Sequence, residues 1–346
     1  AQARIAFPSQ AIPLDDLVAN LGATTSRGAL TRPREGAITG RLTLPQLDLR
    51  GLIAGALGAT PAPAGAVWST TRFGAPVALG NQGLSIGIET GALIAADGFP
   101  LRDARFTLTT DPDGIRIEGL TGAYRGGTVA GRLGLRREGG LAQLSGQVDL
   151  AQVDLAGLTG GGLTGTFSGR VEAGGSGESP ARLVAGLGGA GSVTLSGASL
   201  SRFDPAAYGR VIAATGEDAS ESETARLQGR ISEQLNRAAW SLGDVTVPFT
   251  LAGGLMRLQP FSFERSGLRA EASGIVDLRA TSADLRLSLR PLGPLPKGWP
   301  TDAPQIGVAW RGPLSALRRE TDVGALSNAV AARALAREIE RVEAFE

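Results

Sequence analysis

The sequence predicts a mainly β protein: an antiparallel sheet lengthened by hairpins, with a few short helices and an amphipathic helix at the C-terminal end. Three observations point there. Apolar and polar residues alternate with a period of two through most of the chain, the mark of strands with one greasy and one wet face. Glycine supplies 51 of the 346 residues, enough for a tight turn after nearly every strand. Apolar residues make up 42% of the chain but aromatics only 5%, so the strands are thin and aliphatic rather than built around bulky rings.

Taken in order, the strands begin with "RLTLPQLDL" (41–49), "GLSIGIET" (83–90), "RFTLTT" (105–110) and "GIRIEGL" (114–120). They continue with "GRLGLRR" (131–137), "GSVTLSG" (191–197), "DVTVPFTLAG" (244–253) and "ADLRLSLRPL" (283–292). The stretch "GQVDLAQVDLAGLTGGGLTGTFSGRVEAGG" (146–175) alternates in the same way at Val148 and Leu150, repeats "VDL" at Val153–Leu155, and sets Phe167 and Val171 among small and polar neighbours. Hairpin chemistry separates several of these runs, in "DPDG" (111–114), "REGG" (137–140) and "AGG" (252–254), and short connections make neighbouring strands antiparallel. A faint repeat lays 115–135 on 256–278, each running strand, glycine turn, strand; this suggests a sheet lengthened by adding hairpins.

Helical signals are few. "LDDLVANL" (14–21) reads as a short helix, and "DPAAYGRVIAA" (204–214) begins with Asp204 as N-cap and Pro205 in first position. Together with "SETARLQGRISEQLNRAAW" (222–240) it forms a helical pair that interrupts the strands. The last segment, 321–345, is expected to place Val323, Leu326, Val330, Leu335, Ile339 and Val342 on one stripe, opposite Arg333, Arg337, Glu338, Glu340 and Arg341. Such a helix either covers the open edge of the sheet or lies on a membrane, and its mixed charge favours the edge.

Chemistry is harder to find. The chain has no cysteine and no histidine, which removes thiol catalysis, thiolate and imidazole metal sites, disulfides and the usual proton shuttle near neutral pH. A net charge of +1 provides no field to recruit nucleic acid. "GLGGAG" (186–191) has the glycine spacing of a dinucleotide loop, but a strand rather than a helix follows it. Asp111 and Asp113 lack the further oxygen ligands of a calcium loop. A serine nucleophile would depend on the single lysine, Lys297, held in the proline-flanked "PLGPLPKGWP". No catalytic residue, cofactor or metal site is therefore assigned. The longest apolar stretch, "GLIAGALGATPAPAGAVW" (51–68), is interrupted by Pro61 and Pro63 and does not read as a membrane span. The opening "AQARIAFPSQ", without Met, reads as a piece of a longer or processed protein.

An apolar sheet face this long must be covered, by a second layer or by an apolar ligand. Burying methylene groups is worth roughly 0.8 kcal/mol each, so an acyl chain of about sixteen carbons binds without any polar motif. That chemistry leaves no catalytic signature.

The second half of the chain resembles the C-terminal region of the AsmA family, of the alphaproteobacterial type related to AsmA/TamB-like envelope proteins. The residues that carry the likeness are "LSGQVDLAQVDLAGL" (144–158), 165–212, "PFTLAGGLMRL" (248–258), 268–291 and 303–346, in that order. Ala316 and Leu317 stand where the family usually has a proline before its arginine pair. The likeness covers about 200 residues well and the first 140 in style. It implies a periplasmic protein anchored in the inner membrane by an N-terminal helix that this chain lacks, acting in phospholipid transfer and outer-membrane biogenesis. It implies an elongated, curved antiparallel sheet that forms a trough-like groove, and no catalytic residues. The expected partners are phospholipid or another acyl lipid, the inner membrane and envelope proteins, with no nucleic acid among them. The groove candidates are Val193, Leu195, Val245, Val247, Phe249, Leu251, Leu285, Leu287 and Leu289, each set one parity of a strand. The expected organisation is a β-rich AsmA-like repeat region at 1–140, a C-terminal β region at 141–320 with a helical insertion near 204–240, and a C-terminal helix at 321–346. The alternative is a scaffolding protein whose groove is filled by its own helices or by a protein partner.

Overall fold

In a computed structural model, the structure describes residues 2–5, 11–21, 24–76, 83–96, 98–112, 114–214, 224–293, 295, 299 and 303–343. Strands dominate, and they divide between two compact units that do not follow chain order. The first comprises residues 1–154, 166–194 and 248–255; the second comprises 155–165, 195–247 and 256–346.

The first unit is built on β1 (Gln2–Ile5), β2 (Ala11–Leu21), β3 (Thr24–Pro33) and β4 (Ile38–Asp48), then helix α1 (Leu49–Leu57). Next come β5 (Leu84–Ala96), β6 (Phe99–Asp111), β7 (Gly114–Tyr124), β8 (Gly127–Glu138) and β9 (Leu141–Asp154). Each strand pairs with the next, antiparallel except for β4 and β5, which run parallel because α1 and the segment after it carry the chain back. The chain passes through α2 (Ala156–Thr159) to β10 (Leu163–Gly177), which pairs with β9 from Thr166 onward. Helix α3 (Pro180–Ala185), β11 (Gly188–Leu200) and the end of β12 (Trp240–Ala252) complete the unit.

Register keeps one apolar face continuous. Leu42 stands opposite Ile88 and Ile88 opposite Phe106. Leu108 faces Ile117 and Ile117 faces Leu133. Several strands keep this phase through bulges, and two of these bulges bear on the reading of the sequence. At Gln152 the backbone takes φ +55° and its amide donates to the Ser168 hydroxyl, 3.1 Å; the extra residue turns the odd-numbered Val153 onto the same face as Val148 and Leu150. The second bulge explains why residues 14–21 are strand and not helix. Asp16 has φ +50°, and the β2–β3 register shifts between Leu14 and Leu17. The resulting three-residue apolar spacing imitates a helical turn in sequence.

Two short helices close one end of this face. Asp48 Oδ1 caps α1 by accepting from the Arg50 and Gly51 amides, and Gly58, at φ +64°, ends it. Ser179 caps α3 in the same way, with Pro180 at the first position. Neither helix was anticipated, although both carry ordinary start signals. Between them Phe73 is buried, its amide donating to Glu178 O at 2.9 Å. The Arg137 guanidinium lies 5.6 Å from the Phe73 ring centroid and donates to the carbonyls of Leu57, Gly74 and Gly139.

The second unit contains α2, the start of β10, the end of β11, α4 (Ala207–Ala214), α5 (Thr224–Leu235) and most of β12. It continues through β13 (Leu255–Arg265), β14 (Leu268–Asp277), β15 (Ser282–Pro291), β16 (Ile306–Pro313), β17 (Arg318–Asp322) and α6 (Gly324–Glu343). Strands β14 to β17 form an antiparallel ladder in chain order. The anticipated helical pair is present, but Trp240 begins a strand, and 222–223 lie outside the described residues. The hairpins β7–β8 and β13–β14 bear out the repeat. Arg125–Gly126 and Ser266–Gly267, 141 positions apart, both have φ between +43° and +80°, the two-residue turn that matches strand twist.

Helix α6 corrects one expectation. Its apolar residues form two stripes, not one. The step from Val330 to Leu335 is five residues, which rotates the pattern about 140° beyond a full turn. Leu326 and Val330 are buried, whereas Leu335, Ile339 and Val342 are 64%, 50% and 54% exposed.

Candidate functional site

The sheet has an apolar face in each unit, and the two faces are covered differently. In the second unit the register stacks Ala270, Leu289 and Ile306 in one layer and Ala272, Leu287 and Val308 in the next. Over them lie Tyr208, Val211 and Ile212 from α4, Leu227, Ile231 and Leu235 from α5, and Leu326 and Val330 from α6, all buried in the same cluster. Phe203 stacks on Trp240 with ring centroids 5.4 Å apart, and Trp240 meets Phe263 at 5.5 Å.

Polar bonds hold these helices in place. Tyr208 Oη donates to Pro304 O at 2.6 Å, and burial pushes its phenol pKa upward. Asp204 accepts from the Ala206 amide at 2.9 Å and from Arg210 Nη2 at 2.7 Å, and Arg210 reaches Gln234 on α5. Burial disfavours the Asp204 carboxylate, but Arg210 and the Ala206 amide outweigh that and leave its pKa below the ordinary value. Gln228 of α5 donates to Thr321 O on β17 at 2.8 Å, while Arg319 reaches back to Arg202 O and Asn236 Oδ1. Helix α5 thus lies beside β17, and α6 contacts β16 instead.

In the first unit the face is dry over much of β4 to β7 and at Leu135 on β8, where Leu44, Ile88, Leu93, Leu101, Phe106 and Ile117 are also buried. Along the middle of β8 to β11 it is not. Leu133, Leu144, Val148, Leu150, Phe167, Val171 and Val193 are all half-buried. Val148 pairs with Val171, and the position of Gly169 fixes Val193 beside them: a Cβ there would sit 3.7 Å from Val193 Cγ2. Helices α1 and α3 lie against β5 and β9. Four strands spaced about 4.8 Å apart make this strip some 15–20 Å wide, the length of an extended acyl chain of roughly sixteen carbons.

The nine sequence candidates fall into three groups. Val193 joins the half-buried strip, and Phe249 and Leu251 are buried in the same unit. Phe249 fits because Gly191 has no side chain; a Cβ there would collide with its ring. Leu195 and Val245, both half-buried, and the buried Val247 belong to the second unit. Leu285 is half-buried opposite Trp310, while Leu287 and Leu289, at 8% and 2% exposure, lie under the helices. Sequence reasoning passed over Leu133, Leu144, Val148, Leu150, Phe167 and Val171 as site residues. Their alternation was readable, but their lack of cover was not.

The opposite, solvent face of the first unit holds two adjoining shallow clefts of about 440 and 400 Å³ that share Arg116, Gly134 and Ser145. Arg132, Glu118 and Glu172 border the larger one, and Arg116 is held by Asp111 at 2.9 Å. Among the described residues no three acidic side chains gather into a metal-binding group. "GLGGAG" runs from the end of α3 into β11, so no helix N-terminus faces it. The carboxylates are engaged instead in surface pairs, such as Asp277 with Arg279 and Asp284 with Arg286 and Arg311.

No known family profile, curated protein or solved structure matches the chain.

Proposed function

We propose that this chain is a non-enzymatic cell-envelope protein that binds acyl lipid on the apolar face of its first unit and takes part in phospholipid transfer and outer-membrane biogenesis. The AsmA resemblance supplies the cellular setting, in the periplasm and attached to the inner membrane. The observation that carries the reading is the half-buried apolar strip from Leu133 to Val193, wide enough for an acyl chain; on its parity Arg137 stands beyond Leu135, bound to the carbonyls of Leu57, Gly74 and Gly139. Lipid would be held there by apolar burial, which requires no polar motif. Native mass spectrometry and lipid extraction of the purified protein test this. Bound phospholipid that disappears in Val148→Glu/Val171→Glu supports the proposal, and lipid-free protein at every purification step refutes it.

A second reading rests on the other unit. There the sheet face is occupied by α4, α5 and α6, as expected of a scaffolding protein whose groove is filled by its own helices. Under that reading the strip in the first unit would be covered by a protein, and extraction would yield no lipid.

A further inference from the structure

From Gly51 to Thr71 the chain carries no charged side chain, and its middle is not part of the core: every residue from Thr60 to Trp68 is exposed. An uncharged loop rich in alanine and proline would ordinarily fold down or lose definition. This one is pinned at its base. The hydroxyls of Thr60 and Ser69 lie 3.2 Å apart, Ser69 is buried, and Ser69 O accepts from the Ala181 amide at 3.0 Å. Beyond Ser69 the chain is fixed by buried Phe73 and by Arg137, which binds the carbonyls of Leu57 and Gly74 on either side of the loop. Pro61 and Pro63 stiffen the outgoing limb, and a turn from Pro63 O to the Ala66 amide, 3.0 Å, reverses it. The result is an exposed loop presenting Val67 at 45% and Trp68 at 38% exposure. At its foot stand Arg72, whose side chain is 79% exposed and pairs with Glu178 at 3.2 Å, and the exposed Arg182.

We propose that the loop at 60–68 docks on a lipid bilayer, inserting Val67 and Trp68 at the level of the headgroups with Arg72 and Arg182 facing lipid phosphate. The chemistry favours a bilayer over a protein partner. Every residue of the loop from Thr60 to Trp68 is exposed, and none carries a charge that could specify a protein partner. Tryptophan prefers the membrane interface, where its ring is buried and its N–H stays wet. The two arginines at the foot outnumber Glu178, which suits an anionic surface. Because the loop is already ordered, insertion costs little conformational entropy. The proposal goes beyond lipid binding in the sheet, since a protein can hold lipid without touching a bilayer.

The test is flotation of the intact chain with vesicles of phosphatidylcholine alone and of phosphatidylcholine with phosphatidylglycerol at about 3:1, together with quenching of tryptophan emission by brominated lipid. The wild type is expected to float with the mixed vesicles. Val67→Ser/Trp68→Ala is expected to lower the partition coefficient by about tenfold or more, the scale for withdrawing one large apolar side chain. Arg72→Glu/Arg182→Glu should abolish the preference for phosphatidylglycerol. Circular dichroism identical to wild type, expected for changes at exposed positions, excludes misfolding. Val148→Glu/Val171→Glu should still float, which separates this proposal from binding in the strip. No flotation with either vesicle, undiminished flotation of the Val67/Trp68 variant, or flotation lost only in Leu335→Glu/Ile339→Glu on α6 would each overturn it.

Discussion

The aliphatic faces of β8–β11 and β14–β16 are written in nearly the same alphabet, alternating leucine and valine with glycine, serine and arginine. Yet Val148, Val171 and Val193 remain half-buried, whereas Leu289, Ile306 and Val308 are at most 2% exposed. The difference lies in what the chain inserts between strands. Between β11 and β12 it inserts α4 and α5, and after β17 it adds α6; these supply the second layer that the sheet needs. In the first unit the insertions are α1, the 59–76 segment and α3, and they gather around Phe73, Leu183 and Leu135. Strand pattern therefore decides that a face is apolar, while the insertions decide whether it is dry.

That contrast can be broken at several points. The largest effect is expected from a charge placed under the helices. Leu289→Glu leaves an unpaired carboxylate in a sealed layer and should cost about 4 kcal/mol or more, removing the thermal transition of the second unit. The outcome that counts against the sealed layer is a melting curve unchanged from wild type. A smaller loss follows from filling the space kept by Gly191. Gly191→Val drives against the Phe249 ring and should destabilise the first unit by about 1–3 kcal/mol in chemical denaturation. Val171→Ser in the half-buried strip should cost no more than about 1 kcal/mol while clearly reducing recovered lipid. A large stability loss there would mean the strip is core after all.

Alternation gave the strands, and "DPDG" (111–114) gave the β6–β7 hairpin, although Asp113 lies outside the described residues, as does Lys297. The repeat at 115 and 256 was legible because a two-residue turn needs left-handed backbone and therefore glycine at its second position. Residues 14–21 misled because one bulge at Asp16 converts two-residue spacing into three. Helix α6 misled because a five-residue step was read as continuing a stripe. Among the site candidates, parity was readable on β12 and β15, where Val247, Phe249, Leu251, Leu287 and Leu289 are all buried. Cover was not readable, since it depends on segments distant in sequence that settle only in the folded chain.

The smallest expected effect concerns pH. A hydrogen bond from Arg279 outweighs partial burial and holds the Asp277 carboxyl at about 2, below its ordinary 3.8. A lowered carboxyl pKa contributes stability that is present above pH 3.8 and is lost as pH falls toward 2. The melting temperature of the wild type should exceed that of Asp277→Asn at neutral pH, with the gap closing across that window. A gap independent of pH would assign it to packing.

The contrast between the two faces is tested most directly by a phospholipid carrying a photoactivatable group at the end of one acyl chain, crosslinked to the intact protein and mapped by peptide mass spectrometry. Adducts are expected on the segments holding Val148, Val171 and Val193, and none on those holding Leu287, Leu289 and Ile306. Adducts concentrated on β14–β16, or none on either face at saturating lipid, would contradict the account.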